Sequence, residues 1–488
     1  DSGKSDRFVL PKKCPNKAGG RPPAAEGMEG RGLTKGNPGE QTRFWTQGQI
    51  DLQHALDRIR TAAKEDKDCK FTALWHHVYN VTRLRQAYHA LKRNAAPGID
   101  GQTWHDYGRD LEANLKSLSE RLRKGSYKAK AVRRTHIPKA DGRLRPIGIT
   151  ALEDKIVQKA TSDVLGAIYE TDFLGFSHGF RPGRSQHNAL DAVTVAIERR
   201  KIDWIVDADI QGFFDTIDHD WMLKFLGHRI GDQRVLRHIK KWLDAGVWED
   251  ESWRPVEEGV PQGGSICPLL ANIYLHYALD LWVDQRRKRD CGGEVIIVRY
   301  ADDFILGFQY EREARQFLEA LRERLGVFHL TLHPDKTRLI EFGRFAAANR
   351  RKHGSGKPET FDFLGFTHIC SKTRKGKFCV RRKTMNKRMR AKLKALGHEL
   401  RARRHQPIPE TGAWLKRVLQ GHYQYYGVPR NSESMNNFRE WVTRAWRRVL
   451  QRRSGKSTMP WKRMRRHVQR WLPRPRITHP YPNERLAV

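Results

Sequence analysis

The chain has few cysteines and no long apolar run, and both shortages exclude classes of protein. Its six cysteines include no Cys-x-x-Cys pair, so a disulfide framework and a structural zinc site are excluded and reduced thiols are expected. No apolar stretch reaches the roughly 18 residues that a membrane span needs, and the first residues lack the pattern of a secretory signal. The sequence therefore predicts a cytosolic protein without a membrane partner.

Acidic residues are scarce beside basic ones, above all near the C-terminus. The chain holds 93 Lys and Arg against 55 Asp and Glu, a formal net charge of +38, and residues 371–488 contain 33 of the basic residues but only 5 of the acidic ones. Such a surface suits a polyanion that releases counterions on binding. A solvated basic surface, or a face for anionic lipid, would have the same composition. The charge thus favours nucleic acid as the partner without identifying it.

Local patterns divide the chain into four segments. Residues 1–45 are rich in Gly, Pro, Lys and Arg without periodicity, which predicts a flexible basic arm. Residues 46–130 have helical spacing, residues 131–370 alternate strands with helices, and residues 371–488 are helical, Arg-rich and punctuated by Trp. The predicted class is therefore α+β. Within the third segment we predict a hairpin at 131–149, helices at 152–169 and 185–199, and a strand at 204–210.

Two adjacent carboxylates interrupt a strand-like run at residues 299–308, RYADDFILGF. The flanking β-branched and aromatic residues predict a hairpin with Asp302 and Asp303 at its turn. Asp is common in turns, so a plain turn is the simpler interpretation. Asp209, at the end of the strand 204–210, would supply a third carboxylate if it lay beside them, and the carbonyl of Ile210 a further oxygen. Hard oxygen ligands of this kind can hold two Mg²⁺ ions for phosphoryl transfer, including nucleotide addition.

A series of short motifs occurs in a fixed order around these aspartates. Each motif is weak alone, but the ordered set over about residues 70 to 480 resembles the group II intron reverse transcriptases. The motifs are Arg143-Leu-Arg-Pro-Ile-Gly148, Gly179-Phe-Arg-Pro-Gly-Arg-Ser185, Asp209-Ile-Gln-Gly-Phe-Phe-Asp215, Gly259-Val-Pro-Gln-Gly-Gly264, Tyr300-Ala-Asp-Asp303, Leu332-His-Pro-Asp-Lys-Thr337 and Phe363-Leu-Gly-Phe366.

The resemblance implies an active site for nucleotide addition. Asp209, Asp302 and Asp303, with the Ile210 carbonyl, would hold two Mg²⁺ ions, for which Mn²⁺ could substitute. Phe214 would stand where an aromatic ring blocks a ribose 2′-hydroxyl, and core packing is its alternative role. The remaining residues expected at the nucleotide are Lys139, Arg145, Gln262 and Lys336, each of which could instead be an ordinary loop or surface residue.

The resemblance also implies contacts to RNA. Arg181 and Arg184, in a loop stiffened by Pro182, are expected to hold the template backbone, unless they are solvated loop residues. Arg388, Arg465 and Arg466 lie in the basic helical region that resembles the thumb and maturase region of the family. Arginines that contact phosphate and aromatics that stack on unpaired bases are common in RNA recognition. Part of the aromatics in this region would instead belong to a helical core.

The whole resemblance predicts a right-hand polymerase with fingers and palm, followed by an all-helical thumb and maturase region. It would copy its own intron RNA into DNA from a DNA primer and deoxynucleoside triphosphates, and help the RNA fold for splicing, in the cytoplasm of a bacterium or archaeon and associated with the nucleoid. The endonuclease segment found in many members is expected to be missing, and the sequence assigns no oligomeric state. Two alternatives are a non-enzymatic splicing cofactor and a domesticated reverse transcriptase in defence or DNA repair.

Overall fold

A computed structural model of the protein describes residues 47–138, 144–260, 263–453 and 458–486. The predicted basic arm at 1–45 and two predicted nucleotide-binding residues, Lys139 and Gln262, lie outside these ranges. Within the described ranges, every helix is too short or too polar to cross a bilayer.

Within the described residues, five helices precede the first strand. The side-chain oxygen of Asn80 accepts hydrogen bonds from the backbone N–H groups of Thr82 (2.9 Å) and Arg83 (3.2 Å), which is the geometry of a helix N-cap. Leu84 and Tyr88 of the helix that follows are buried. Caps and turns thus divide the predicted helical region into α1 (Gln47–Glu65), α2 (Trp75–Tyr79), α3 (Val81–Ala90), α4 (Trp104–Tyr107) and α5 (Leu111–Lys124).

Strands and helices alternate through the middle of the chain. The hairpin, the two helices and the strand predicted from the sequence are all present, with ends that differ by a few residues. In chain order the elements are β1 (Val132–Pro138), β2 (Leu144–Ile149), α6 (Leu152–Asp172), α7 (Gln186–Arg199), β3 (Trp204–Asp209), α8 (His219–Gly227), α9 (Gln233–Leu243), β4 (Val247–Glu249), β5 (Ser252–Arg254), α10 (Cys267–Leu275), α11 (Leu281–Arg289), β6 (Val295–Tyr300), β7 (Asp303–Phe308), α12 (Glu311–Gly326), β8 (Arg338–Glu341), α13 (Ala346–Lys352), β9 (Phe361–Phe363), β10 (Phe366–Lys372) and β11 (Phe378–Thr384).

The C-terminal part is helical from Asn386 onward. The residues just before it, at 371–384, belong mainly to strands β10 and β11, so the helical region begins later than the boundary at 371. Leu419, Trp446 and Met464 are buried between the helices, whereas Trp461 is exposed. The helices are α14 (Asn386–Ala402), α15 (Ile408–Tyr426), α16 (Ser432–Gln451), α17 (Trp461–Trp471) and α18 (Pro482–Arg485).

The strands of the described ranges form three sheets, of which the central one carries the candidate site. Its order is β6-β7-β3-β8 with antiparallel neighbours, and the other two have the orders β2-β1-β4-β5 and β11-β10-β9. Helices α7 and α12 pack against the strands of the central sheet. Strands β6 and β7 are therefore almost fully buried, which explains why their sequences are continuous apolar runs rather than alternating ones.

Candidate active site

The register of the central sheet brings two of the predicted aspartates together. Asp209, the last residue of β3, is the cross-strand partner of Asp303, the first residue of β7. Tyr300 pairs with Asp303 across the β6–β7 hairpin, so Ala301 and Asp302 form a two-residue turn. Ala301 has φ of 56°, at the position where such a turn usually has Gly. All three carboxylates therefore lie at one end of the sheet.

The backbone beside Asp209 is held by the residues that precede β8. His333 N–H donates to the carbonyl oxygen of Asp209 at 2.8 Å, and Gln211 N–H donates to Thr331 at 2.8 Å. The carbonyl of Ile210 takes no part in these two bonds, although Ile210 itself bridges to Leu332. Its predicted role as an oxygen ligand stays a prediction.

The carboxylates of the turn sit close enough to perturb one another. Desolvation, followed by the charges of Asp302 and Asp209, raises the pKa of Asp303 to about 7. Desolvation and the charge of Asp209 also raise the pKa of Asp302. Asp303 is solvent-exposed and Asp302 is half-buried, yet the protein around the two carboxyl groups still disfavours their charged forms. Keeping these carboxylates ionised therefore costs free energy, and a nearby cation would reduce that cost.

The residues present fit a Mg²⁺ site in their chemistry. Carboxylate oxygens are the hard ligands that Mg²⁺ prefers, and here they converge at a strand end and a turn. The ammonium group of Lys336 forms an ion pair with Asp209, so one carboxylate already has a cationic partner. Among the described residues, no three His, Cys, Asp or Glu side chains are arranged as a preformed metal site. The donor set is suitable, but its geometry is not that of a closed coordination shell.

Phe214 lines a cavity together with residues of the first hairpin and of the Gly259–Gly264 motif. It belongs to a short 3-10 turn, Phe213–Asp215, and is partly buried against the core. The cavity has a volume of about 230 Å³, and its walls include Arg134, Pro146 and Gly148 from the first hairpin. An aromatic ring that is only half packed, beside a cavity, suits either predicted role, packing or nucleotide selection.

Glycines let the motifs approach this cavity closely. A Cβ on Gly263, which has φ of 135°, would lie 2.2 Å from the carbonyl oxygen of Gly148, and one on Gly259, which has φ of 89°, would lie 2.9 Å from that of Phe214. Only glycine fits both the conformation and the space. The structure thereby brings three of the sequence motifs together around one cavity.

Besides Lys336, two predicted cations lie near the carboxylates. The positive charge of Arg145, on β2, is among those that lower the pKa of Asp302, and that of Arg388, on α14, is among those that lower the pKa of Asp303. Arg388 was expected at RNA in the helical region, which stays a prediction, and the structure also brings its charge close to Asp303. Sequence patterns gave no sign that Arg388 lies near Asp303, because these two residues are far apart in the chain.

Arg181 and Arg184 are directed into the protein. The Arg181 side chain is 4% exposed and pairs with Glu170 at 2.9 Å, and it also donates to the carbonyl of Ser177 at 2.9 Å. Arg184 donates to the carbonyls of Ser177 (3.2 Å) and Gly175. This placement disfavours the predicted template contact of Arg181, because the guanidinium is satisfied inside the protein. By contrast, Arg465 and Arg466 on α17 are exposed.

Sequence reasoning missed one residue that contacts this turn, Arg299. It is fully buried and lies directly before Tyr300. The available signal was an arginine inside an otherwise apolar strand, since a buried guanidinium requires buried partners.

Comparison with known proteins agrees with the geometry. Residues 137–368 match the family described as reverse transcriptase (RNA-dependent DNA polymerase). Protein YkfC of Escherichia coli is 35% identical over 276 residues, which cover 50% of this chain and 72% of that protein. The group II intron-encoded protein LtrA of Lactococcus lactis is 36% identical over 235 residues, 48% of this chain and 39% of LtrA. Nuclear intron maturase 3 of Arabidopsis thaliana is 27% identical over 124 residues, 25% of this chain and 17% of that protein.

A polymerase-type sheet with carboxylates at its end and a matching family model define a reverse transcriptase. Within that class, the chain belongs to the family of group II intron reverse transcriptases and maturases. The alignment with LtrA spans well under half of LtrA's length.

Proposed function

We propose that the protein is an RNA-directed DNA polymerase of a mobile group II intron, and that it also binds the intron RNA to assist splicing. The observation that carries the proposal is the register that sets Asp209 opposite Asp303, with Asp302 in the adjoining turn. Nucleotide addition needs carboxylates in such a cluster, whereas RNA binding alone does not.

Asp209, Asp302 and Asp303 would hold two Mg²⁺ ions, or Mn²⁺ in their place. When bound, such ions activate the attacking hydroxyl and stabilise the leaving oxygen of an in-line phosphoryl transfer. The protein's own contribution is to fix these carboxylates on the end of a rigid sheet, which limits how far they can move during the reaction.

Residues around the cavity would orient the nucleotide. Arg145 approaches Asp302 from β2, where a guanidinium suits bidentate contact with phosphate. Lys139 and Gln262 are proposed to act at the same nucleotide from the sequence motifs alone. Lys336, whose ammonium group pairs with Asp209, is proposed to contact the triphosphate of the nucleotide. The side chain of Phe214 is proposed to exclude a ribose 2′-hydroxyl.

The helical C-terminal part would hold the RNA. Exposed arginines, including Arg465 and Arg466, lie on α17, whose only buried residue among those described is Met464. A helix so basic on its outer face favours phosphate contact. The same protein would therefore use one surface for the intron RNA and one site for DNA synthesis, in the cytoplasm beside the nucleoid of its host.

Primer extension tests the polymerase directly. Wild type and the Asp302→Ala, Asp303→Ala double variant would be given an RNA template, a DNA primer, Mg²⁺ and deoxynucleotides. We expect synthesis to fall at least about a hundredfold in the double variant, since metal-ion stabilisation amounts to several kcal/mol, with RNA affinity nearly unchanged. Asp284→Asn is the matched control, because Asp284 is also partly buried and paired with cations, Arg287 and Lys288.

Each outcome selects a function. Extension that is lost only in the double variant supports the polymerase. Tight RNA binding without extension by wild type would instead favour the splicing cofactor. If wild type extends the primer but no group II intron flanks its gene, the domesticated enzyme would be favoured.

A further inference from the structure

Arg299 is a fully buried arginine whose five N–H donors all have acceptors. Nε and Nη2 donate to the two carboxylate oxygens of Asp280 at 2.7 and 2.5 Å, and the side chains of both residues are 0% exposed. Nη2 also donates to Oγ of Ser177 at 2.7 Å, and Nη1 donates to Oδ1 of Asn272 at 3.0 Å. The fifth bond, from Nη1 to the carbonyl oxygen of Ala301, is 2.9 Å long. One side chain thereby ties Ser177 and the helical stretch that carries Asn272 and Asp280 to the turn that carries Asp302.

Packing alone does not explain this arrangement. A buried ion pair is costly to desolvate, and apolar residues of similar volume would often serve stability as well or better. A guanidinium can do what an apolar side chain cannot, which is to hold a carbonyl group in a fixed orientation. The carbonyl held here belongs to Ala301, the residue with the left-handed backbone conformation.

The segment 176–179 also contacts this turn and the residues that precede it. The N–H of Arg299 donates to the carbonyl of Phe176 at 2.9 Å, and the N–H of His178 donates to the carbonyl of Arg299 at 2.8 Å. A Cβ on Gly179 would lie 2.2 Å from the backbone nitrogen of Ala301. Asn272 completes the link, since its Nδ2 donates to the carbonyl of Gly179 at 2.7 Å.

The two arginines of the Gly179–Ser185 motif hold the same segment in place. Arg181 and Arg184 both donate to the carbonyl of Ser177, whose hydroxyl accepts from Arg299. The Gly179–Ser185 motif, whose arginines were predicted to hold the template, thus contacts the turn that carries Asp302.

We propose that Ser177, Gly179, Asn272, Asp280 and Arg299 form a turn brace that positions Asp302 and Asp303 for the reaction. Arg299 is its central positioning residue and touches neither substrate nor metal. The inference rests on the proposed polymerase function for its catalytic consequence. It goes beyond that function because it assigns the Gly179–Ser185 motif and the buried Arg299–Asp280 ion pair the same role, which is to hold the turn that carries Asp302.

Two substitutions disturb the brace by different means, and each has a matched control. Arg299→Lys keeps the charge but removes the fork of donors, and Arg229→Lys makes the same change at a guanidinium that is equally buried and bonded to the N-terminal helices. Gly179→Ala pushes on the backbone of Ala301, whereas a Cβ on Gly166 meets nothing within 4 Å, so Gly166→Ala is its control.

Nucleotide-addition kinetics and amide hydrogen exchange would be measured on all four full-length variants. We expect Arg299→Lys and Gly179→Ala to lower kcat by up to about a hundredfold, because a misplacement of about 1 Å can cost this much. KM for the nucleotide and affinity for template and primer should stay within about twofold of wild type, because the brace contacts neither. Amides 300–304 should exchange faster in these two variants and not in the controls.

Several results would overturn the brace. Unchanged exchange at residues 300–304, a kcat that stays at the wild-type value, or an equal loss of kcat in Arg229→Lys would each do so. If wild type itself makes no DNA, the proposed function fails, and hydrogen exchange alone then decides whether the brace exists.

Discussion

A second buried ion pair joins the sheet of β9 to β11 to helix α7, and its removal is a sharp test of the structure. Asp191 and Arg382 are 2% and 3% exposed, and their carboxylate and guanidinium atoms are 2.6 Å apart. Arg485, in the C-terminal helix α18, approaches the other oxygen of Asp191 at 3.1 Å and is 19% exposed. One carboxylate therefore connects three separate parts of the chain.

The structure predicts different costs for breaking and for replacing this pair. Asp191→Ala leaves the Arg382 charge buried without its partner, which should lower the free energy of unfolding by about 3–5 kcal/mol. Arg485 adds less to this cost, because it is partly exposed and can turn toward water. The double variant Asp191→Leu, Arg382→Met removes both charges, and we expect it to lose no more than about 2 kcal/mol, since apolar replacements of buried pairs are often near neutral.

Urea unfolding followed by circular dichroism measures these differences as shifts of the midpoint with an unchanged slope. Asp191→Leu and Arg382→Met made singly, with their double variant and wild type, form a cycle whose coupling energy isolates the pair. A loss below about 1 kcal/mol in Asp191→Ala would mean that the pair is solvated, and the packing of β11 on α7 would then be wrong.

Three further outcomes are expected. Phe214→Ala should raise ribonucleotide incorporation at least about tenfold relative to deoxynucleotides, if loss of the ring is worth about 1.4 kcal/mol of discrimination; unchanged selectivity in single-nucleotide incorporation would assign the ring to packing. Replacing Arg465 and Arg466 by Gln should reduce the slope of log affinity against log salt by about 1–2, since each phosphate contact contributes about 0.7–0.9, and an unaltered slope would exclude α17 from the RNA surface. Burial lowers the pKa of His368 and of His422 to about 3, so the folded state resists protonation. Above pH 6.5 both imidazoles are neutral whether the chain is folded or unfolded, and the stability is at its full value. As the pH falls toward 3, the unfolded chain takes up protons that the folded protein does not, so the stability falls. His422→Phe should therefore weaken the acid dependence of unfolding measured by urea titration at pH 4 and pH 7, and an equal dependence in the variant would contradict the assignment.

The sequence predicted what local patterns encode. Asp209, Asp302 and Asp303 were recognisable because each ends or joins a strand with clear β-type composition. Helix α7 could be predicted as well, because Ser185 precedes it as an N-cap and accepts from Asn188 N–H.

Long-range pairing could not be predicted in this way. Arg299 and Asp280 are 19 residues apart, and Asp191 and Arg382 are 191 apart, so no local periodicity relates them. The sequence around Arg181 has the composition of an exposed loop, yet the Arg181 side chain is buried because it bonds to Glu170 and to the carbonyl of Ser177. Which way a charged side chain faces depends on tertiary partners, and a single sequence does not reveal them.

The central claim is that the three carboxylates form one metal-binding site, and iron-directed cleavage tests it without relying on activity. Fe²⁺ would replace Mg²⁺, and hydroxyl radicals generated with ascorbate and peroxide would cut the polypeptide close to the ion. We predict cuts near residues 209–211 and 300–303 that excess Mg²⁺ suppresses and that the Asp302→Asn, Asp303→Asn variant lacks. Cuts confined to other parts of the chain, or cuts that persist at these two places in the variant, would contradict the claim.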